Sequence, residues 1–83
     1  MTRIHEVADT LLAYYKRRGL RAGDELHFSD LESAIVLSRF TFRGVGTVPG
    51  ALTWLLAHGL VEMYERDTYC LTHEGQLVND RRP

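Results

Sequence analysis

The sequence is short of most features that mark a catalyst, a secreted domain or a membrane protein. Its single cysteine, Cys70, cannot close a disulfide within the chain, which agrees with a reducing compartment. Apolar runs such as Trp54–Ala57 fall far short of the roughly 20 residues that cross a bilayer, so no membrane span is expected. The stretch from Met1 to Glu6 holds no apolar core of the signal-peptide kind, and the expectation is a soluble, cytoplasmic protein. Charge of one sign is missing too: 10 Lys and Arg face 11 Asp and Glu, a formal net charge of −1. Nucleic-acid binders are usually basic, because neutralising phosphates releases counterions. The balance weighs against strong DNA binding, although a local basic patch can act alone. No Ser/His/Asp set, P-loop, dinucleotide fingerprint or catalytic carboxylate pair occurs. Gly44-Val45-Gly46 lacks the Lys-Ser/Thr of a phosphate loop, and Pro49 removes an N–H from the next helix start. Cys70 and His73 have a C-x-x-H spacing, but a structural zinc needs four ligands, and His5, His27 and His58 have no matching spacing. The expectation is a chain that is not an enzyme and uses neither cofactor nor metal.

What is present is a small globular pattern. With 83 residues, 45% of them apolar, the chain fits one domain spanning 1–83, with a core over about 3–79 and a frayed tail at 80–83. Ile4, Val7, Ala8, Leu11, Leu12 and Tyr15 recur at helical spacing and predict a first helix over about 3–18. Thr2 is placed to cap that helix and Gly19 to end it. Glu25–Phe28 alternates as a short strand does. Ser29 and Glu32 have capping-box spacing, which predicts a second helix from Ser29 to about Ser38, with Leu31, Ala34, Ile35 and Ser38 inward. Arg39–Gly46 has loop composition. Thr47 is the expected cap of a third helix whose inner stripe is Val48, Ala51, Leu52, Leu55 and Leu56, ended by Gly59. Leu60–Glu65 and Thr68–Leu71 form a hairpin around Arg66-Asp67, with Val61 and Met63 on one face. Thr72 caps a last short helix around His73–Asn79.

Two segments carry a family resemblance. Ala51-Leu52-Thr53-Trp54-Leu55-Leu56-Ala57-His58-Gly59-Leu60-Val61 resembles the end of a winged-helix recognition helix running into its wing. Tyr69-Cys70-Leu71-Thr72-His73-Glu74-Gly75 resembles the Tyr-x-Leu-Thr-x-x-Gly pattern that closes the wing in small bacterial, archaeal and phage regulators. The resemblance covers about residues 26–78. It implies an α+β, mainly α, winged helix-turn-helix domain: helix, strand, helix, helix, hairpin and a short C-terminal helix.

The resemblance also implies double-stranded DNA as partner and a role in transcription regulation, with the third helix in the major groove and the wing on the backbone. The residues carried over for DNA are Arg39, Arg43, Thr47, Thr53 and Arg66, acting mostly on phosphate. The recognition helix itself has no Arg or Lys, and the positions that would face bases hold Pro49, Gly50, Thr53 and Trp54. Around Arg66 the wing carries Glu62, Glu65 and Asp67, which repel phosphate. Lys16, Arg17, Arg18 and Arg21 form a second basic group, equally readable as solvated charge at a helix end. The alternative is a winged helix used as a protein–protein interaction module, an adaptor or a phage or mobile-element inhibitor of a host nucleic-acid machine. Trp54, Phe40, Phe42 and Tyr64 would then form its interface, with Tyr14 a weaker candidate. Either Phe equally suits the gap between the second and third helices. A homodimer through the first or last helix stays open, since neither shows a sustained heptad.

Overall fold

A computed structural model describes residues 3–36 and 47–82. Among them are four helices and a small three-stranded antiparallel sheet, an α+β arrangement that is mainly helical. In chain order these are α1 (Arg3–Arg17), β1 (Glu25–His27), α2 (Phe28–Val36), α3 (Val48–Ala57), β2 (Val61–Glu65), β3 (Thr68–Leu71) and α4 (His73–Asp80). The sheet order is β1-β3-β2. Thr2, the end of the second helix at Ser38 and the whole Arg39–Gly46 loop lie outside the described residues, and so do Phe40, Phe42, Arg39 and Arg43. No helix among the described residues is long and apolar enough to cross a membrane.

The core is the one the apolar periodicities define. Val7, Ala8, Leu11, Leu12 and Tyr15 of α1 meet Leu31 and Ile35 of α2 and Val48, Ala51, Leu52 and Leu55 of α3. Leu26, Val61, Tyr69 and Leu71 close it from the sheet. Three of the residues expected inward or grouped with them are outside it, and of these Leu56 is half-buried, packed against the core's margin because it sits at the flank of α3. Ile4 is 41% exposed, on the first turn of α1, with its side chain beside Gly50 at the edge of α3. Met63 is 53% exposed, because β2 runs off the core after Val61 as the hairpin extends.

Helix ends depart from expectation in an instructive way. The capping box at Ser29 is displaced: α2 begins at Phe28, and the Asp30 carboxylate accepts from the His27 amide at 3.1 Å. The reciprocal half of a capping box is thus made two residues earlier. Ser29 instead accepts, through its carbonyl, from the Ser33 hydroxyl. Thr47 stands at the N-cap of α3 but makes no side-chain capping bond, and Pro49 supplies the first turn's tolerance for missing donors. Gly19 and Gly59 end α1 and α3 with φ of +72° and +69°, conformations that cost a side chain bearing Cβ.

Thr72 works as expected and does more. Its hydroxyl accepts from the Gly75 amide at 3.0 Å, capping α4, and donates to the Gly59 carbonyl at 2.6 Å. One side chain therefore ties the end of α3 to the start of α4. Gly75 is buried there because a Cβ at this position would collide with the Leu60 carbonyl and stand 2.7 Å from Leu71 Cδ1. The tail is not frayed as far as Arg82. The Arg82 guanidinium pairs with Asp9 at 2.8 Å and donates to Asn79 Oδ1 at 2.7 Å, which pins it to α1 and α4.

Candidate interaction surface

α3 is the element on which the functional reading turns, and it carries no charged residue. Its buried side, Val48, Ala51, Leu52 and Leu55, holds it against α1. Its solvent side shows Pro49, Gly50, Thr53 and Ala57. The Thr53 hydroxyl donates back to the Pro49 carbonyl at 3.0 Å, the usual resting place of a helical threonine. These small side chains leave a low, neutral surface.

Trp54 lies between the two sides and is half-buried. Its indole is stacked on His58, with ring centroids 3.9 Å apart and an angle of 24° between planes. His5 of α1 meets it at 5.2 Å and 56°. His58 Nδ1 sits 2.9 Å from the Trp54 carbonyl. A carbonyl only accepts, so Nδ1 carries the hydrogen and Nε2 is left as the ring's second site. Beneath the indole runs a cleft of about 280 Å³, between α1, α3 and α4. Its walls are Ala8, Leu12, Leu55, Leu60 and Val78, with His5 and Asp9 at the rim. The volume suits one large apolar side chain better than a drug-sized ligand, whose pockets begin at about 300 Å³.

The hairpin is the second candidate surface. Met63 pairs with Tyr69 and Glu65 with Thr68, so Tyr64 is the extra residue of a β-bulge. The bulge turns Tyr64 outward, where it is 69% exposed. Asp67 takes a left-handed φ of +62° and closes the turn, leaving Arg66 exposed at the tip. The outer face of the sheet is acidic. Glu25, Cys70 and Glu62 stand in one row across the three strands. The Cys70 thiol donates to Glu25 Oε2 at 3.8 Å. Burial, then the Glu25 carboxylate, then Glu62, push that thiol up from its ordinary pKa, so it stays protonated and a poor nucleophile. Among the described residues no three His, Cys, Asp or Glu side chains come together as a metal site.

Two members of the basic group at the end of α1, Lys16 and Arg18, have structural duties. Lys16 Nζ donates to the Asn79 and Arg82 carbonyls at 3.0 and 3.1 Å, satisfying the C-terminus of α4. Arg18 donates to the Tyr14 hydroxyl at 3.1 Å and lies over its ring. Sequence reasoning missed two buried polar contacts nearby. The Tyr15 hydroxyl donates to the Tyr69 carbonyl at 2.7 Å, and Asn79 Nδ2 to the Leu12 carbonyl at 3.0 Å. The signal for the first was a tyrosine at the last position of an apolar stripe. Nothing in the pattern distinguishes Asn79 from a surface residue.

Of the expected site residues, the structure puts Thr53 and Trp54 on α3, Thr47 at its start and Arg66 and Tyr64 on the hairpin. Thr53 and Trp54 share one surface, while Arg66 and Tyr64 belong to another. Set against models of known protein families, against characterised proteins and against solved structures, the chain gives no match.

Proposed function

We propose that the chain is a winged-helix domain whose α3 face binds a protein partner. The fold reading is supported by the element order and by the β1-β3-β2 sheet, in which β1 joins the far side of the hairpin. Fold alone does not decide function, so the argument rests on the surface. Its single strongest support is that α3, the helix that would enter a groove, presents only uncharged residues, with Trp54 set at the mouth of an apolar cleft. The bidentate base contacts that discriminate most come from Arg, Lys, Asn or Gln at a helix's exposed positions, and α3 has none, leaving only Thr53 able to meet a base. A partner presenting one bulky apolar side chain would seat it in the cleft and pack its neighbours on Pro49, Gly50 and Thr53. Buried anchors of this kind carry most of an interface's energy.

A photo-crosslinking side chain at Thr53, used in the intact chain, tests this. The expected result is a discrete protein adduct that disappears when Trp54→Ala is added, with a loss of about 2 kcal/mol in the affinity of the purified complex. Adducts only to nucleic acid, or none that depend on Trp54, would overturn the reading.

A second reading is favoured by one observation. Arg66 is exposed at the tip of the hairpin, where a wing meets a DNA backbone. On that reading Arg66, Thr47 and Thr53, with Arg39 and Arg43 of the preceding loop, contact phosphates of double-stranded DNA, and the chain acts as a transcriptional regulator. The acidic outer face of the sheet opposes it, because Glu62, Glu65 and Asp67 surround the one arginine.

A further inference from the structure

The sheet has an outer strand whose far side takes no partner among the described residues. β2 pairs with β3 on one side only, and Glu62, Met63, Tyr64 and Glu65 are all exposed. The direction of its backbone groups follows from the ladder. The Leu71 amide donates to the Asp24 carbonyl, toward β1, and the Leu71 carbonyl accepts from Gly23. Backbone groups alternate along an antiparallel strand, so those of Cys70 turn to Glu62 on β2. Those of Met63, one residue on, turn away to the open edge.

We propose that this open edge of β2 takes up an extended, basic protein segment as a fourth strand. Two features select the occupant. Met63 and Tyr64, 53% and 69% exposed, offer apolar surface on either side of the edge. Glu62, Glu65 and Asp67 on the hairpin, with Glu25 in the same row as Glu62, give that surface a negative field against the single Arg66. Alternating Lys or Arg and apolar residues would match both.

The same charges decide against a second copy of this chain. Antiparallel self-pairing would bring Glu62 and Glu65 of both copies into one short ladder. Like charges in such a ladder are destabilising. Acidic residues and a bulge are the usual protection of an edge against self-association. Here they leave the edge accessible to a segment of opposite charge. This mode of recognition draws affinity from main-chain hydrogen bonds and specificity from alternate side chains. It uses different residues from the α3 surface, so each reading stands or falls separately.

The test is a titration of the isotope-labelled full chain with the peptide Lys-Val-Lys-Val-Lys, followed by amide shifts and hydrogen exchange. Glu-Val-Glu-Val-Glu serves as control. The expected result is shifts centred on 61–65, slowed exchange of the Met63 amide, and no response to the acidic peptide. Glu62→Lys with Glu65→Lys should weaken binding about tenfold or more, since each change replaces an attraction to the basic segment by a repulsion. Met63→Pro removes the outward N–H without touching the ladder to β3, as edge strands allow, and should abolish the complex while the spectrum stays folded. Three results would overturn the proposal: equal binding of the acidic peptide, unchanged binding by both variants, or shifts confined to His5 and Trp54. The last would put the peptide in the cleft beside α3.

Discussion

The seam between α1 and α4 and the face of α3 are built on opposite principles. At the seam, polar side chains cross between elements: Lys16 and Asn79 reach carbonyls on the opposing helix, and Arg82 reaches Asp9. Nearby, Thr72 and Tyr15 bond to the ends of α3 and β3. On α3 the side-chain bonds of Thr53 and His58 stay within the helix and its C-cap, reaching Pro49 and Trp54. Apolar burial holds that helix against α1, and the Thr72 hydroxyl ties its end to the start of α4. The difference separates residues whose side chains tie elements together from an uncharged surface whose exposed side chains do not. It also gives a structural use to Lys16, one of the basic group at the end of α1, and to Arg82 of the expected frayed tail.

Substitutions at the seam should therefore cost stability, and substitutions on the α3 face should not. The largest effect is expected from Gly75→Ala. Its Cβ would collide with backbone at Leu60, which cannot give way as a side-chain tip can, so thermal or denaturant unfolding should show a loss of about 3 kcal/mol. Asn79→Ala removes two bonds at once, its own to the Leu12 carbonyl and that from Arg82, which then keeps its contacts with Asp9 and Lys16, and should cost about 2 kcal/mol.

Tyr15→Phe should cost about 1 kcal/mol through the lost bond to Tyr69. It should also change the alkaline limb of stability. Burial pushes the Tyr15 hydroxyl well above its ordinary value, so the fold holds the neutral form. That contribution is intact below the unfolded value of about 10 and is lost as pH rises beyond it toward the folded value. The melting temperature should fall above about pH 10 in the parent and fall less steeply in Tyr15→Phe. Tyr69 is raised by burial and by Asp67 and adds a loss of the same sign.

The smallest effect should come from Thr53→Lys, within about 0.5 kcal/mol, because Thr53 is exposed and bonds only within its own helix. A large loss there would erase the contrast between the two regions.

Legibility of the sequence followed the same division. Apolar stripes placed the helices within a residue or two, because burial imposes a period that composition displays. Glycines at 19 and 59 marked helix ends, because positive φ selects them. The capping residue of α2 was misplaced, since Asp30 and Ser29 both offer capping chemistry and the pairing of β1 with β3 decides which is used. The fixed tail was missed, because Arg82 gains its partners only when α4 folds back on α1. Met63 was put on one face with Val61 by alternation, which says nothing of where along that face the core ends. For the site, the absence of charge from α3 was visible in the sequence. The cleft beneath Trp54 was not, because it needs three helices to exist.

The most direct measurement is a titration of labelled duplex DNA with the intact chain at low salt, read by anisotropy and mapped by amide shifts. Nonspecific DNA binders respond at or below the order of tens of micromolar under such conditions. The account predicts no rise in anisotropy over that range and no shifts on α3. A salt-dependent rise, with shifts at Thr53, Trp54 and Arg66, would contradict it.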